Sequence, residues 1–123
     1  MDERFQILSL DGGGVKGIFS AAVLAHLEED LGCCIRDHFD LIVGTSTGGI
    51  IALGLGMGMK PREILRFYVD QGPMIFARGS FTGMRNVWRA KYDGADLKRA
   101  LKMCFGDALL GGSQKRLVIP SYM

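Results

Sequence analysis

In the first half of the chain, two short apolar runs are each followed by a glycine-rich turn and then by apolar residues at helical spacing. The runs are residues 5–10 and 39–43, and each is short enough to be a buried strand. Helices are expected over residues 15–31 and 50–57. This order of strand, helix, strand and helix predicts a parallel βαβ unit with a right-handed crossover.

The second half of the chain predicts further elements of both kinds. Pro61 is well placed to begin a third helix, and Gly72 is expected to end it. Residues 73–95 lack a clear period, residues 96–105 predict a short amphipathic helix, and residues 116–120 predict a last strand. The fold class is therefore predicted to be α/β, a three-layer α/β/α sandwich around a parallel sheet. Because two or three strands make a thin sheet for three layers, we expect the sandwich to be incomplete in this chain.

Glycine is the compositional outlier, at 18 of 123 residues, where about 7% is ordinary. The glycines cluster at 12–17, 44–58 and 111–112. The first two clusters follow strand-like runs, which is where α/β proteins place functional turns. The net charge of +2 is small and no nucleic-acid-binding motif is present, so a nucleic-acid partner is not expected.

The cysteines and the N-terminus indicate a cytoplasmic protein. Cys33, Cys34 and Cys104 show no spacing typical of zinc sites, and we expect reduced, buried thiols. Residues 1–4 are charged and do not resemble the start of a signal peptide. The longest weakly polar run, residues 47–59, is too short to span a bilayer, so any membrane contact is expected to be peripheral.

The strongest chemical motif is G-x-S-x-G, formed by residues 44–48 (GTSTG). It lies between an apolar strand and a helix, where serine hydrolases hold their nucleophile on a sharp turn. The positive end of the following helix favours an alkoxide and a negative acyl adduct. Ser46 is therefore the candidate nucleophile, and a glycine turn that serves helix–sheet packing alone is the alternative.

A second glycine turn, residues 11–17 (DGGGVKG), also follows a strand and precedes a helix. Gly12, Gly14 and Gly17 satisfy G-x-G-x-x-G, the spacing of a dinucleotide site. Such a site requires an acidic residue at the end of the second strand, and that strand ends instead in V-G-T-S. Lys16 is followed by glycine, so a Walker A loop is also absent from the sequence.

The same glycine turn has a second use, as an oxyanion hole. Three consecutive glycines, Gly12, Gly13 and Gly14, can direct backbone N–H groups at one point. Because the carboxyl ends of adjacent parallel strands meet at one edge of a sheet, we expect this loop to lie beside Ser46. The two turns then have complementary roles, since one carries the candidate nucleophile and the other supplies the oxyanion donors.

Together the two turns and their helices resemble the start of a patatin-like phospholipase domain. The family pattern is D-G-G-G-x-[RK]-G followed by G-T-S-x-G-G, and LSLDGGGVKGIFSAAVLAHLE and FDLIVGTSTGGIIALGLG match it in order. KPREILRFYVDQGPMIF, KYDGADLKRAL and RLVIPSY resemble the next elements of the family. The similarity therefore covers essentially the whole chain.

The resemblance implies a lipid acyl hydrolase of the phospholipase A type that uses a Ser–Asp dyad, acts on phospholipid or another lipid ester, and needs no metal or cofactor. It implies that Ser46 is the nucleophile and that Gly12, Gly13 and Gly14 supply the oxyanion donors. Lys16 matches the basic position of the loop, where it would hold the loop or meet a lipid phosphate. A solvated lysine is the alternative for Lys16.

The dyad aspartate of the family lies in a D-G-[GA] motif far downstream, so residues 1–123 are interpreted as the N-terminal portion of a single domain. Without that base, we expect this portion to be inactive by itself. Asp93-Gly94-Ala95 mimics the motif but aligns with the K-Y-D-G segment of the family, so it is not taken as the dyad. The alternative function is a non-catalytic module that binds lipid or a partner protein.

The two histidines and the basic segment 78–102 are not expected to have a catalytic role. His26 and His38 are not placed to form a Ser-His-Asp triad with Ser46 and are interpreted as structural or surface residues. Residues 78–102 are basic with interleaved apolar side chains, which fits either an anionic membrane surface or a solvated face.

Overall fold

A parallel sheet organises the chain. The computed structural model describes residues 4–76 and 94–121. Its three strands lie in chain order, with β2 in the centre: β1 (Ile7–Leu10), β2 (Leu41–Gly44) and β3 (Arg116–Val118). Both pairings are parallel, and Leu10 at the end of β1 pairs with Gly44 at the end of β2. The turns that follow β1 and β2 therefore leave the sheet at the same edge.

Helices connect the strands: α1 (Gly17–Leu31), α2 (Thr47–Gly56), α3 (Pro61–Phe76) and α4 (Gly94–Phe105). Short 3₁₀ turns lie between them: Gly14–Lys16, Ile35–His38 and Leu110–Gly112. α1 ends at Gly32, whose φ of 60° lies in the left-handed region that favours glycine. Pro61 begins α3, where its missing N–H has no helical partner to lose.

Side chains alternate in burial along the strands. Leu10 and Ile42 are 7% and 0% exposed, whereas Ile7 and Val118 on the other face are 54% and 45% exposed. Because the strands follow one another in space in chain order, right-handed crossovers place their connecting helices on one face. In the described part of the chain, helices thus cover one face of the sheet. The predicted α/β class with a parallel sheet is confirmed, as an incomplete α/β/α sandwich.

The core lies where α1, α2 and α3 meet the sheet. Ile42, Ile51, Leu55 and Tyr68 are fully buried there. Nine of the ten residues of α2 are buried. α2 is therefore the central helix of this half-sandwich, and its N-terminus lies at the edge where β2 ends.

The predicted end of α3 at Gly72 is wrong. The helix continues through Gly72 and Pro73 to Phe76. Pro73 removes one helical hydrogen bond, which leaves the carbonyl of Val69 without its usual partner. Val69 is 56% exposed, and on the inner side Ile75 is buried at 9% exposure, so packing of that last turn outweighs the local stop signals. Residues 77–93, most of the segment predicted to be irregular, lie outside the described residues.

The cysteines are unpaired, as expected, but they are less buried than expected. Cys34 is exposed, and Cys33 and Cys104 are half-buried. Cys33 and Cys34 follow α1 in the loop that returns the chain to β2, which explains their access to solvent.

Candidate active site

Ser46 occupies a sharp turn between β2 and α2. Its backbone has φ 54° and ψ −123°, and it is the one non-glycine residue with positive φ among the residues described. Such a conformation costs about 1–3 kcal/mol and persists only where the surrounding structure holds it. Ser46 stands at the N-cap of α2, yet its side chain makes no capping hydrogen bond and the residue is exposed. The hydroxyl is therefore presented to solvent rather than used by the fold.

The turn is held by close backbone packing against β1. A Cβ on Gly48 would lie 2.2 Å from Leu10 O, so α2 can begin here because position 48 has no side chain. The N–H of Gly48 donates to Thr45 O and that of Gly49 to Ser46 O, each at 2.9 Å. These contacts fix the backbone on both sides of Ser46.

The glycine loop after β1 lies directly against this turn. A Cβ on Gly12 would come 2.7 Å from Ser46 Cβ, 2.8 Å from Thr45 O and 3.5 Å from Ser46 Oγ. The N–H of Gly12 donates to Thr45 Oγ1 at 3.2 Å. The structure therefore brings Gly12 and Ser46 together, as the two-turn interpretation requires, and engages the Gly12 N–H with Thr45.

Other N–H groups of the two turns remain available. Within residues 4–76 and 94–121, the N–H groups of Gly13, Gly14 and Thr47 have no acceptor. Thr47 is the first residue of α2, whose N-terminus carries a partial positive charge. Unpaired N–H groups and a positive helix end are the features from which an oxyanion site is built.

Lys16 lies over the glycine loop. A Cβ on Gly13 would meet Lys16 Cβ at 3.3 Å and Lys16 Cδ at 3.7 Å, so the aliphatic part of Lys16 runs along the loop. Lys16 is exposed, and its ammonium group pairs with no carboxylate in the described part of the chain. A positive charge is thus available at the loop that contacts Ser46.

Tyr68 lies in the core, behind the turn that carries Ser46. It is 0% exposed and its hydroxyl donates to Thr47 O at 2.7 Å. Burial, with a smaller contribution from Cys104, raises the pKa of Tyr68 well above its usual range. Burial also raises the pKa of the Cys104 thiol. Tyr68 is therefore held in its protonated form, as the hydrogen-bond donor to the first carbonyl of α2.

Several residues considered in the sequence analysis do not reach Ser46. His26 Nδ1 is 3.9 Å from Glu29 Oε2 on the surface of α1, and His38 Nε2 is 3.2 Å from Cys33 Sγ at the opposite edge of the sheet. No hydrogen bond joins Ser46 Oγ to a carboxylate of residues 4–76 or 94–121. Asp93 and the basic residues 78–93 lie outside the described residues.

Sequence patterns did not single out Thr45, Thr47 or Tyr68 as residues of the site. A signal existed for Thr47, because the residue after the serine of G-x-S-x-G commonly gives its N–H to the oxyanion. The hydrogen bond from Gly12 to Thr45 joins residues 33 apart in the chain, and that from Tyr68 to Thr47 joins residues 21 apart. Pattern and spacing along the chain predict that the two turns are neighbours, but they do not identify these hydrogen-bonded pairs.

Comparisons with known proteins agree with the geometry. The patatin-like phospholipase family model matches residues 8–120. The chain is 40% identical over 119 residues to a cGAMP-activated phospholipase of Pseudomonas aeruginosa (strain BWHPSA011 / Pa011), covering 95% of this chain and 36% of that protein. It is 35% identical over 135 residues to patatin-like protein 2 of Oryza sativa subsp. indica, covering 94% of this chain and 33% of that protein. It is also 35% identical over 133 residues to patatin-like protein 4 of Arabidopsis thaliana, with shares of 94% and 33%. The chain thus spans about a third of the length of these relatives.

Proposed function

Because the chain belongs to the patatin-like phospholipase family, we propose that the protein containing it is a serine lipid acyl hydrolase of the phospholipase A type, with Ser46 as nucleophile. The observation that carries this proposal is the exposed Ser46 on a positive-φ turn, with the backbone of Gly12 packed against it. Residues 1–123 would form the N-terminal portion of a single domain. The substrate class is phospholipid or another lipid ester.

The reaction we propose is acyl transfer in two steps. Ser46 Oγ attacks the ester carbonyl as its proton passes to a carboxylate base, and the carbonyl oxygen becomes an oxyanion. The C–O bond to the alcohol then breaks, the alcohol takes the proton, and an acyl-enzyme remains. Water repeats the sequence on the acyl-enzyme and releases the fatty acid. No cofactor is required for this balance of atoms and electrons.

The oxyanion would be stabilised by N–H groups of the glycine loop and of α2. The Gly12 N–H already donates to Thr45, so we assign Gly12 the role of letting the loop approach Ser46. Gly13 and Gly14, together with Thr47, then act as donors. Loss of one such donor costs about 3–4 kcal/mol of transition-state stabilisation in a comparable site.

We propose that the base of the dyad is an aspartate beyond residue 123. The support is indirect: the carboxylates of residues 4–76 and 94–121 make no hydrogen bond to Ser46 Oγ. Without a base, serine is a weak nucleophile at neutral pH. Residues 1–123 alone are therefore expected to be inactive towards esters.

Lipid substrates also require contact with a membrane surface. We propose that the Ser46 edge of the sheet faces the bilayer and that Lys16 binds a lipid phosphate. Val15 and Phe19, on either side of Lys16, are 52% and 74% exposed, which suits insertion among acyl chains. Of the helices described, none is long and apolar enough to cross a membrane. The three unpaired cysteines favour a cytoplasmic location, with attachment at the membrane surface.

A fluorophosphonate probe tests the proposal directly. In the full-length protein it should label Ser46, and phospholipid vesicles should release fatty acid. Ser46→Ala should remove both signals, whereas Ser9→Ala, on the exposed face of β1, should keep both. Absence of labelling in a folded protein would contradict the proposal. Vesicle binding without labelling would instead support the non-catalytic lipid-binding module.

A further inference from the structure

We propose that Tyr68 is a positioning residue for the nucleophile turn, which it holds through its hydrogen bond to the carbonyl of Thr47. The inference rests on the proposed function of Ser46 and adds a residue of the core that fixes the position of the turn. Tyr68 lies on α3, fully buried, and does not touch the solvent-facing side of the site.

The strained turn needs external support. Ser46 has a positive φ, and β2 fixes its N-terminal side, since Thr45 N–H donates to Leu10 O at 3.2 Å. On its C-terminal side, Ser46 O accepts from Gly49 N–H at 2.9 Å and Ile50 N–H at 3.3 Å. Those bonds lie within the first turn of α2, so they move with the helix and do not anchor it to the sheet or to the other helices.

The Tyr68 hydroxyl supplies such an anchor. Its 2.7 Å hydrogen bond reaches the first carbonyl of α2 from another helix. The Thr47 side chain offers no equivalent attachment, because its Oγ1 is buried without a hydrogen-bond partner in the described part of the chain. Burial raises the pKa of Tyr68, which favours the protonated hydroxyl that donates this bond.

Gly17 packs against both Thr47 and Tyr68. A Cβ on Gly17 would lie 3.1 Å from Thr47 Cβ, 3.2 Å from Thr47 Oγ1 and 3.4 Å from Tyr68 Cζ. Gly17 ends the glycine loop and begins α1. The first residue of α2 is thus enclosed between the end of the loop and the Tyr68 ring. One buried junction therefore sets the Thr47 N–H and Ser46 relative to the loop.

The test compares three variants of the full-length protein. Tyr68→Phe removes the hydroxyl alone. Ile64→Val removes one methylene from a buried residue one turn away on α3 and leaves the turn untouched, with a loss of about 0.5–1.5 kcal/mol. Gly17→Ala crowds Thr47 by a few tenths of an ångström while its φ of −56° suits alanine in a helix. For each we measure kcat and KM on a water-soluble ester, the rate of fluorophosphonate labelling and Tm.

We expect Tyr68→Phe to lower kcat and the labelling rate about tenfold with KM unchanged, since small misplacements remote from the chemistry have effects of this order. Gly17→Ala should lower kcat without lowering Tm, because alanine favours the helix. Ile64→Val should lower Tm and keep kcat. An unlabelled wild-type protein would overturn the proposed function of Ser46. A labelled wild type in which Tyr68→Phe retains kcat would overturn the positioning role alone, whatever Gly17→Ala does.

Discussion

The two glycine turns lie side by side at one edge of the sheet, but the structure holds them in different ways. In the nucleophile turn, residues 44–49, four of six residues are buried, and the N–H groups of Thr45, Gly48 and Gly49 donate to backbone carbonyls. In the glycine loop, residues 11–17, five of seven residues are exposed, and the N–H groups of Gly13 and Gly14 have no acceptor in the described part of the chain. The first turn is fixed from several directions, and the second is fixed mainly at Gly12 and Gly17.

This difference follows from what each turn must do in the proposed reaction. The nucleophile must stand at a fixed place, so the fold tolerates a strained φ at Ser46 and surrounds it with tight contacts. The donors must be free for a substrate oxygen, so their N–H groups are left without protein partners. The contrast predicts that substitutions in the first turn affect folding, and that those in the loop affect activity.

Gly48→Ala should have the largest effect, on the fold itself. Its Cβ would lie 2.2 Å from Leu10 O, a backbone atom of β1 that cannot move without displacing the strand. We expect a loss of more than about 4 kcal/mol in the free energy of unfolding, enough to abolish cooperative folding. Circular dichroism with thermal melting measures it. Gly111→Ala, with nothing within 4 Å of its Cβ, is the matched control and should melt as the wild type does.

Gly12→Ala should reduce activity by about 100-fold, in the range seen for a lost oxyanion donor, while the protein stays folded. The added methyl would meet Ser46 Cβ at 2.7 Å and Thr45 O at 2.8 Å, so the exposed loop must move away from Ser46. The rate of ester hydrolysis by the full-length protein is the measurement. Gly13→Ala meets the flexible Lys16 side chain at 3.3 Å instead, and should lose less. Equal losses in the two variants would show that the Gly12 contact is not what sets the loop.

Both turns could be predicted from sequence because each is defined locally, by an apolar run followed by glycines. The contacts that support these turns from the core could not be predicted. Tyr68 falls within the predicted third helix, but the partner of its hydroxyl is a backbone carbonyl that no side-chain pattern reveals. The end of α3 shows the same limit: Gly72 and Pro73 are local stop signals, and the burial of Ile75 that overrides them is a tertiary contact.

Ser46→Gly should test the strain in the nucleophile turn. Glycine adopts positive φ without the penalty of about 1–3 kcal/mol, and loses about 0.5–1 kcal/mol through its greater freedom when unfolded. Ser46→Ala keeps the penalty. We therefore expect Ser46→Gly to be more stable than Ser46→Ala by about 1 kcal/mol, or a few degrees in Tm. Both variants should be inactive. Equal melting points would mean that the turn is not strained.

The smallest expected effect is on the alkylation rate of Cys104. It tests whether water reaches the side chains that pack behind Ser46. Burial raises the pKa of the Cys104 thiol, and the group contributes to the raised pKa of Tyr68. A raised pKa leaves less thiolate at a given pH, and the thiolate is the reactive form, so alkylation of Cys104 should begin at higher pH than that of the exposed Cys34. At pH 8, iodoacetamide should modify Cys104 several times more slowly, as read by peptide mass spectrometry.

The same measurement in denaturant supplies the control for Cys104, because unfolding exposes both thiols and the difference should disappear. In the folded protein, a Cys104 that reacts as fast as Cys34 would mean that water reaches the space beside Tyr68. The Tyr68 hydroxyl would then have water as a competing partner, and its hydrogen bond to Thr47 would be too weak to hold α2 in place. The nucleophile turn would in that case depend on its packing against β1 alone, and the contrast between the two turns would be weaker on the side of the core.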